Sequence, residues 1–270
     1  MRVQGIVIAI DPVAFTLGQF AVRWYGVAVV VAILAGFALG LHEAKRRRLD
    51  VDEVANLGLW AVVCAIVGAR LFHVLDHATY YVANPQAILA LYEGGLSIYG
   101  GIAGGLLAGA VYAWRVRLPL FVVLDSAAPA LILAQAVGRV GCLINGDAQG
   151  LPTDLPWAFT YVHPDSLAPE LGVAGHPYPL YEIIWDVVGF AILWRLRGRW
   201  RTSGTLFLAY TVYYSLGRFL LSFVRQETIA FWGLQQAQVL ALAALFAAIM
   251  GLTYLLRLRQ NRLDPDPRGL

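Results

Sequence analysis

The chain has 270 residues, of which 59% are hydrophobic and 14% are charged, and its mean hydropathy is +0.65. A soluble domain of this length carries far more charge, so the composition excludes an ordinary globular protein and indicates a protein of the lipid bilayer. The formal net charge of +3 is small, and we expect no nucleic-acid partner. The two cysteines, Cys64 and Cys142, predict neither a disulfide framework nor a zinc site, so we expect no metal and no cofactor.

Seven stretches are apolar and long enough for a helix to cross the hydrocarbon core, which takes roughly 20 residues. They are about 20–41, 54–75, 97–114, 119–140, 180–196, 204–224 and 236–257. The third contains GGIAGGLLAGA, whose small residues at helical spacing favour close helix packing in lipid. We therefore predict an all-α integral membrane protein, a single membrane domain over residues 1–270 with seven transmembrane helices and no internal repeat.

Basic residues indicate how the helices are oriented. Fourteen of the twenty Lys and Arg residues lie in alternate loops or at the C-terminus, and the intervening loops 76–96 and 145–178 contain none. Because cytoplasmic loops of membrane proteins are rich in Lys and Arg, the N-terminus is predicted outside and the C-terminus in the cytoplasm. The basic segments are 42–50, 114–117, 195–201 and the tail from Arg257 onward.

The outer segment 145–178 lies between the predicted spans four and five and is rich in Pro, Gly and Asp. Trp157, Phe159 and Tyr161 alternate in it as the residues of a short strand would. We predict that this segment is a small ordered extracytoplasmic cap rather than an independent domain, placed where it could cover a site from above.

Three arginines, Arg70, Arg139 and Arg218, fall in the outer halves of predicted spans, and Arg23 lies at the outer mouth of the first span. Each charge at mid-depth costs about 2.5 kcal/mol or more, so such residues usually face a cavity or a partner and mark a functional path. Alternatively, each arginine extends to the interface or pairs with a buried acid. The candidate acids are Asp125, Glu182 and Asp186.

The stretch VGRVGCLINGDAQG, residues 137–150, has the character of a helix end. Its glycines, Gly138 and Gly150 among them, permit a close approach of backbone amides to a ligand. The planar guanidinium of Arg139 matches the paired oxygens of a phosphate or carboxylate, and Asn145 can add a neutral hydrogen bond. Asp147 could accept a proton or pair with Arg139. The alternative is a glycine-rich turn closed by an Arg–Asp pair, without a ligand.

Other candidates have two interpretations each. In span six, Arg218 is favoured as a ligand-binding residue, and Arg225 as a marker of the lipid headgroup boundary. The hydroxyl of Tyr99 reaches a cavity or fills a groove between helices. Tyr25 is an interfacial belt residue on sequence physics alone, and His176 is either a titrating group or a hydrogen-bonding loop residue.

The outer end of span two carries Arg70, His73 and His77 on one face, without an acid that would complete a set of metal ligands. We interpret this face as a solvated helix end.

Six sequence blocks in the same order resemble the bacterial prolipoprotein diacylglyceryl transferase family, and they extend over nearly the whole chain. The blocks are RWYG (23–26), GARLFHVL (68–75), GGLSIYGG (94–101), GRVGCLINGDAQG (138–150), HPYPLYE (176–182) and GRFLLSFVR (217–225). The resemblance implies transfer of the diacylglyceryl group from phosphatidylglycerol to the thiol of a lipobox cysteine in a preprolipoprotein signal peptide, with release of glycerol phosphate. It also implies a multi-pass protein of the bacterial cytoplasmic (inner) membrane.

The resemblance and the residue chemistry together give two sets of candidate site residues. The catalytic candidates are Arg139, Arg218, Asp147 and Tyr99. The substrate-binding candidates are Tyr25, Gly100, Gly138, Asn145, Gly150, His176 and Glu182. The arginines would stabilise the charge that develops on the leaving phosphate, and Asp147 or Tyr99 would assist deprotonation of the thiol, whose free pKa is about 8.5.

Four positions depart from the family pattern. Tyr99 replaces a histidine, Cys142 an asparagine, Asp147 a glutamate, and Ser222 a glutamate one turn after the arginine of span six. These departures bear on which residue takes the thiol proton, whereas both arginines are retained. They leave two further hypotheses open: a non-catalytic lipid or anionic-solute transporter, and an inactive relative that binds signal peptides.

Overall fold

The computed structural model describes residues 5–18, 20–90, 94–200, 202–225, 227, 229–231 and 233–263. The chain divides into two compact units, one formed by Met1–Gly40 with Ala127–Leu270 and the other by Leu41–Ser126. Each unit is described by itself below. Of the basic segments, Arg201 and the tail beyond residue 263 lie outside the described residues.

All seven predicted apolar helices are present, together with one short helix. They are α1 (Trp24–Arg46), α2 (Val51–Asp76), α3 (Ala78–Ala83), α4 (Ile98–Arg115), α5 (Leu120–Asn145), α6 (Tyr178–Leu196), α7 (Thr205–Leu221) and α8 (Gln236–Leu263). Within the described residues, five helical segments are long and apolar enough to cross a membrane: Trp24–Arg46, Val51–Asp76, Leu120–Asn145, Thr205–Val224 and Gln236–Arg257. The protein is therefore a mostly helical integral membrane protein.

Short strands accompany the helices of the first unit. They are β1 (Ile6–Ile8), β2 (Val13–Leu17), β3 (Phe20–Arg23), β4 (Phe159–Tyr161), β5 (Ala174–Gly175), β6 (Ile229–Phe231) and β7 (Leu234–Gln235). The predicted strand within the outer segment is confirmed over Phe159–Tyr161 as β4, which pairs in parallel with β1 and antiparallel with β5, whereas Trp157 lies in the preceding turn. Residues 20–23, predicted as the start of span one, instead form β3 and pair with β2.

In the first unit, small residues allow the helices to approach closely. A Cβ on Gly36 of α1 would lie 3.1 Å from Ala134 of α5, and a Cβ on Gly217 of α7 would lie 2.1 Å from the Trp185 indole of α6. Residues Ala128, Ile132, Leu193, Leu206 and Tyr210, from α5, α6 and α7, form a buried apolar cluster. This cluster joins the first half of α5 to the last turn of α6 and the first two turns of α7.

In the second unit, α2 and α4 pack backbone against backbone. A Cβ on Gly104 would lie 2.4 Å from the carbonyl oxygen of Cys64, and a Cβ on Gly68 would lie 2.5 Å from that of Gly100. The close packing predicted for the glycine-rich run is confirmed.

Arg70 of α2 is only 7% exposed, so the interpretation of its surroundings as a solvated helix end was wrong. Its guanidinium donates to backbone carbonyls within residues 87–90 and 94–95, with Nε 2.8 Å from the oxygen of Ile88 and Nη1 2.7 Å from that of Gly94. The charge is therefore compensated by peptide dipoles of the following loop. Arg70 holds this loop against the end of its own helix.

The glycine contacts between α2 and α4 predict a position-specific cost. We expect Gly104→Ala to destabilise the protein by about 1–3 kcal/mol, because the new methyl group would collide with a backbone carbonyl rather than with a side chain that can move. Gly109→Ala in the same helix is the matched control, since its Cβ would meet only the Leu57 side chain at 3.7 Å. Thermal unfolding in detergent should show a lower midpoint for Gly104→Ala alone. Equal midpoints for the two variants would contradict the packing argument.

Candidate active site

The central glycine-rich stretch is the end of helix α5. The helix stops at Asn145, and Gly146 adopts a positive φ of 85° while its N–H donates to the carbonyl of Cys142 over 2.9 Å. Such a left-handed residue is the usual way to close a helix end, and glycine adopts it without strain. Arg139 and Cys142 thus occupy the last two turns, and Asp147, whose side chain is exposed, lies just beyond them.

Arg139 forms a bidentate ion pair with Glu182 of α6. Its Nε lies 2.5 Å from Oε2, and its Nη2 donates to Oε1 over 3.0 Å. The remaining terminal nitrogen, Nη1, lies 3.8 Å from the sulfur of Cys142. The carboxylate therefore fixes the plane of the guanidinium and leaves Nη1 directed toward the helix end.

Arg218 of α7 meets the same carboxylate. Its Nη1 donates to the hydroxyl of Tyr178 and lies 3.5 Å from Oε1 of Glu182, while the Tyr178 hydroxyl donates to that oxygen over 2.8 Å. Tyr178 and Glu182 are one turn apart on α6 and so present their polar groups on one face. Glu182 is thus a shared partner for two arginines from different helices.

A second carboxylate extends this group outward. Oε1 of Glu227 lies 2.8 Å from Nη2 of Arg218 and 3.0 Å from Nε of Arg225. The guanidinium carbon of Arg225 also lies 5.0 Å from the centre of the Tyr178 ring. We call Arg139, Tyr178, Glu182, Arg218, Arg225 and Glu227 the arginine cluster. Its three cations and two anions leave one net positive charge.

Asn145 and Asp147 form a separate polar chain. The amide nitrogen of Asn145 donates to Asp147 over 2.8 Å, and its oxygen accepts from Arg23 over 3.2 Å. Arg23 is held in turn by the carbonyl of Asp165 at 3.1 Å. The carboxylate partner of Arg139 is therefore Glu182, and the alternative of an Arg139–Asp147 pair was wrong.

Gly150 connects the outer segment to both neighbouring chain segments. Its N–H donates to the carbonyl of His176 over 2.9 Å, and it forms a β-bridge with Arg225. A Cβ at this position would lie 2.4 Å from the carbonyl oxygen of Val224. Only glycine fits this approach, which brings the segment after α7 and the segment before α6 together.

His176 and Tyr161 help to hold the outer segment in place. The ring of His176 lies 3.3 Å from the Tyr181 hydroxyl, and its partial burial lowers the pKa of the imidazole. The Tyr161 hydroxyl donates to the carbonyl of Leu143 over 2.7 Å, and burial raises the pKa of this phenol. His176 is hence a hydrogen-bonding loop residue, as one of its two interpretations has it.

Two predicted site residues line the approach of α1 to α5. Gly141, beside Arg139, would place a Cβ 3.0 Å from the Cα of Tyr25, whose side chain is largely exposed. A Cβ on Gly138 would lie 3.8 Å from the Cβ of Ala32, which is an ordinary contact distance. Tyr25 is thus next to the end of α5 with its ring free to meet lipid.

Tyr99 and Gly100 belong to the second unit. Tyr99 is the second residue of α4 and is 37% exposed, so it does not fill a tight groove. A Cβ on Gly100 would lie 2.2 Å from the carbonyl oxygen of Gly68, so Gly100 is required for the packing of α4 on α2.

Within the described parts of the chain, one trio has metal-ligating atoms within 4.8 Å of one another: Asp11, His163 and Asp165. Asp11 Oδ1 already accepts from the N–H of Val13 at 2.8 Å, and His163 Nδ1 from that of Asp165 at 3.2 Å. Both carboxylates are exposed. Local hydrogen bonds account for this trio.

Sequence reasoning missed Tyr178 and Glu227 as members of the cluster, and it gave Arg225 only a boundary role. Tyr178 lies four residues before Glu182 in a helix, and this spacing could have indicated that it belongs to the cluster. Glu227 had no such signal, because it lies outside regular secondary structure.

Comparison with known proteins relates the whole chain to one family. A sequence model of the prolipoprotein diacylglyceryl transferase family matches residues 12–254. The matched region includes every residue of the arginine cluster and the Asn145–Asp147 chain.

Individual relatives agree with this match. The phosphatidylglycerol–prolipoprotein diacylglyceryl transferase of Trichormus variabilis is 38% identical over 252 residues, which cover 90% of this chain and 89% of the relative. That of Thermosynechococcus vestitus is 38% identical over 240 residues, covering 87% and 89% of the two chains. That of Listeria welshimeri is 32% identical over 255 residues, covering 93% and 92%.

The shared carboxylate predicts a large stability effect. We expect Glu182→Gln to destabilise the protein by about 3–5 kcal/mol, because two enclosed guanidiniums would lose their common anion. Glu170→Gln, at an exposed position of the outer segment, is the control and should unfold like the wild type. Thermal and denaturant unfolding in detergent measure both variants. A stability loss no larger than that of the control would show that Glu182 does not hold the cluster together.

Proposed function

Since the chain belongs to the prolipoprotein diacylglyceryl transferase family, we propose that it transfers the diacylglyceryl group of phosphatidylglycerol to the lipobox cysteine of a preprolipoprotein. The reaction forms a thioether and releases glycerol phosphate. The observation that carries the assignment to this site is the pair of arginines, Arg139 and Arg218, held on one carboxylate near the C-terminal ends of α5 and α7.

The bond changes explain why such a site needs cations. The thiolate of the lipobox cysteine attacks the glyceryl carbon, a C–S bond forms, and the C–O bond to phosphate breaks. The bonding electrons leave with the phosphate oxygen, which gains negative charge in the transition state. Guanidinium N–H groups that are already oriented stabilise this charge without reorganising. We assign this role to Arg139 and Arg218.

Glu182 and Tyr178 are positioning residues in this proposal. Both oxygens of Glu182 face donors of the protein, so the carboxylate holds the arginines side by side rather than contacting the substrate. A phosphodiester headgroup carries one negative charge, which matches the net positive charge of the arginine cluster.

The thiol proton requires an acceptor, and we propose Asp147 or Tyr99, acting directly or through water. Asp147 is exposed beside the end of α5, and its Oδ1 is oriented by the Asn145 amide. This chain of Arg23, Asn145 and Asp147 fixes the orientation of the carboxylate. Asn145, Gly138, Gly150 and Tyr25 are proposed to border the headgroup.

We further propose that α4 and α6 also cross the bilayer, giving a single domain of seven spans. An 18-residue helix such as α4 extends about 27 Å, close to the roughly 30 Å of the hydrocarbon core. With the basic loops in the cytoplasm, the arginine cluster and the segment 145–178 lie at the outer leaflet. There the lipid headgroup and the lipobox can both reach the site.

Arg139→Ala should abolish transfer, with a loss of at least about 100-fold, as expected when a preorganised donor to a developing anion is removed. Arg139→Lys should also be poor, since an ammonium cannot reproduce the bidentate geometry. The assay combines purified protein, phosphatidylglycerol and a lipobox peptide, and follows glycerol phosphate release together with the gain in peptide mass.

The control for Arg139 is Arg199→Ala, an exposed arginine of the loop after α6. It should retain full turnover. If wild type yields neither product where a relative is active, the transferase assignment fails, and a transporter or an inactive signal-peptide-binding protein becomes the better reading. If Arg139→Ala stays active, Arg139 lies outside the reaction.

Asp147→Asn and Tyr99→Phe identify the proton acceptor. We expect the variant of the true acceptor to lose most of its turnover at neutral pH and to recover part of it at alkaline pH, where the substrate thiol ionises by itself. Rates between pH 6 and 9.5 in the same assay provide the comparison. Near-full turnover in both variants at neutral pH would remove both residues from this role.

A further inference from the structure

Glu227 places one oxygen between two guanidiniums. Its Oε1 lies 2.8 Å from Nη2 of Arg218 and 3.0 Å from Nε of Arg225. The two arginine side chains are 16% and 22% exposed, so solvent reaches them only in part. The Tyr178 ring lies 5.0 Å from the guanidinium carbon of Arg225, so a single anionic oxygen is bound by two guanidiniums beside an aromatic ring.

The two carboxylates of the arginine cluster are held very differently. Glu182 is buried on helix α6 and meets Arg139, Arg218 and Tyr178. Glu227 is 21% exposed and lies outside helix and strand. Among the contacts formed within the described part of the chain, its carboxylate meets Arg218 and Arg225 alone. Glu182 is therefore enclosed by its partners, whereas the Glu227 carboxylate can leave the two arginines by rotation of its own side chain.

A phosphodiester presents the same kind of group as this carboxylate. It has a single negative charge and two non-bridging oxygens, which match paired guanidinium donors as a carboxylate does. The space between the guanidiniums of Arg218 and Arg225 is thus chemically suited to a carboxylate or to a phosphodiester. Whichever anion occupies these donors excludes the other.

We infer that Glu227 occupies the phosphate subsite of the resting protein as an internal anion, and that the phosphodiester of the lipid substrate displaces it from Arg218 and Arg225. This inference rests on the proposed function and adds two residues to it. Arg225 becomes a third headgroup-binding arginine. Glu227 becomes a competitor that keeps the cations paired when no lipid is bound.

An internal competitor lowers the apparent affinity of the ligand by the fraction of molecules in which the subsite is free. Glu227→Gln keeps the size of the side chain but removes its charge, so the subsite should be free in nearly all molecules. We expect roughly a three- to tenfold lower Kd for phosphatidylglycerol, the range that a partly exposed ion pair can account for. If Glu227 only positioned the arginines, its loss would raise the Kd instead.

The experiment measures lipid binding without turnover. Short-chain phosphatidylglycerol is titrated into detergent-solubilised full-length protein, with diacylglycerol as the phosphate-free probe and glycerol phosphate as the soluble one. We expect tighter phosphatidylglycerol binding in Glu227→Gln, no change with diacylglycerol, and wild-type affinity in the control Glu170→Gln. Arg225→Gln should bind phosphatidylglycerol several-fold more weakly than wild type.

Equal or weaker binding of phosphatidylglycerol by Glu227→Gln overturns the inference. A lower Kd of Glu227→Gln for glycerol phosphate alone also overturns the inference, because the subsite would then be specific for the product. If Glu227→Gln does not fold, Glu227→Asp replaces it, since its shorter side chain reaches the arginines less well and should shift the Kd in the same direction. Tighter binding without transfer would refute the proposed function alone, whereas transfer without tighter binding would refute only the role of Glu227.

Discussion

The carboxylate of Glu182 is the interaction on which the site depends. Two guanidiniums brought together inside an apolar protein repel one another, and each has already lost hydration that costs about 2.5 kcal/mol or more at mid-depth in a membrane. One anion between them makes the net electrostatic interaction attractive, because it contacts Arg139 at 2.5 Å and Arg218 at 3.5 Å. The cations remain close and correctly oriented while no substrate is bound.

That arrangement constrains the helices around it. The ends of α5, α6 and α7 must meet at one point, and bulky residues at the contacts would hold them apart. A Cβ on Gly189 of α6 would lie 2.3 Å from the Tyr213 ring of α7, and Gly217 is just as close to Trp185. Trp185 and Tyr213 stack with their ring centres 4.7 Å apart. Aromatic rings packed over glycines therefore set the distance at which Arg218 reaches Glu182.

Patterns repeated along the chain could be predicted from the sequence. Long apolar stretches located all seven long helices, and counting residues along each span placed Arg139 and Arg218 near the ends of their helices. Glu182 was one of three acids considered as partners for these arginines. Partners that leave no pattern were missed: Arg70 binds backbone carbonyls, which every sequence offers, and Glu227 lies outside helix and strand. Tyr178 did leave a signal, its spacing of one turn from Glu182, which was not used.

The β-bridge between Gly150 and Arg225 joins the outer segment to the arginine cluster through the backbone, and Leu151 adds a hydrogen bond to the carbonyl of Val224 at 2.9 Å. Insertions into this segment should therefore have different effects at different positions. An insertion near Gly150 would shift Arg225 and disturb the cluster, whereas the exposed residues 169–171 make no such connection. Grafted sequences or labels belong at residues 169–171, where the cap can vary in size while the geometry beneath it is preserved.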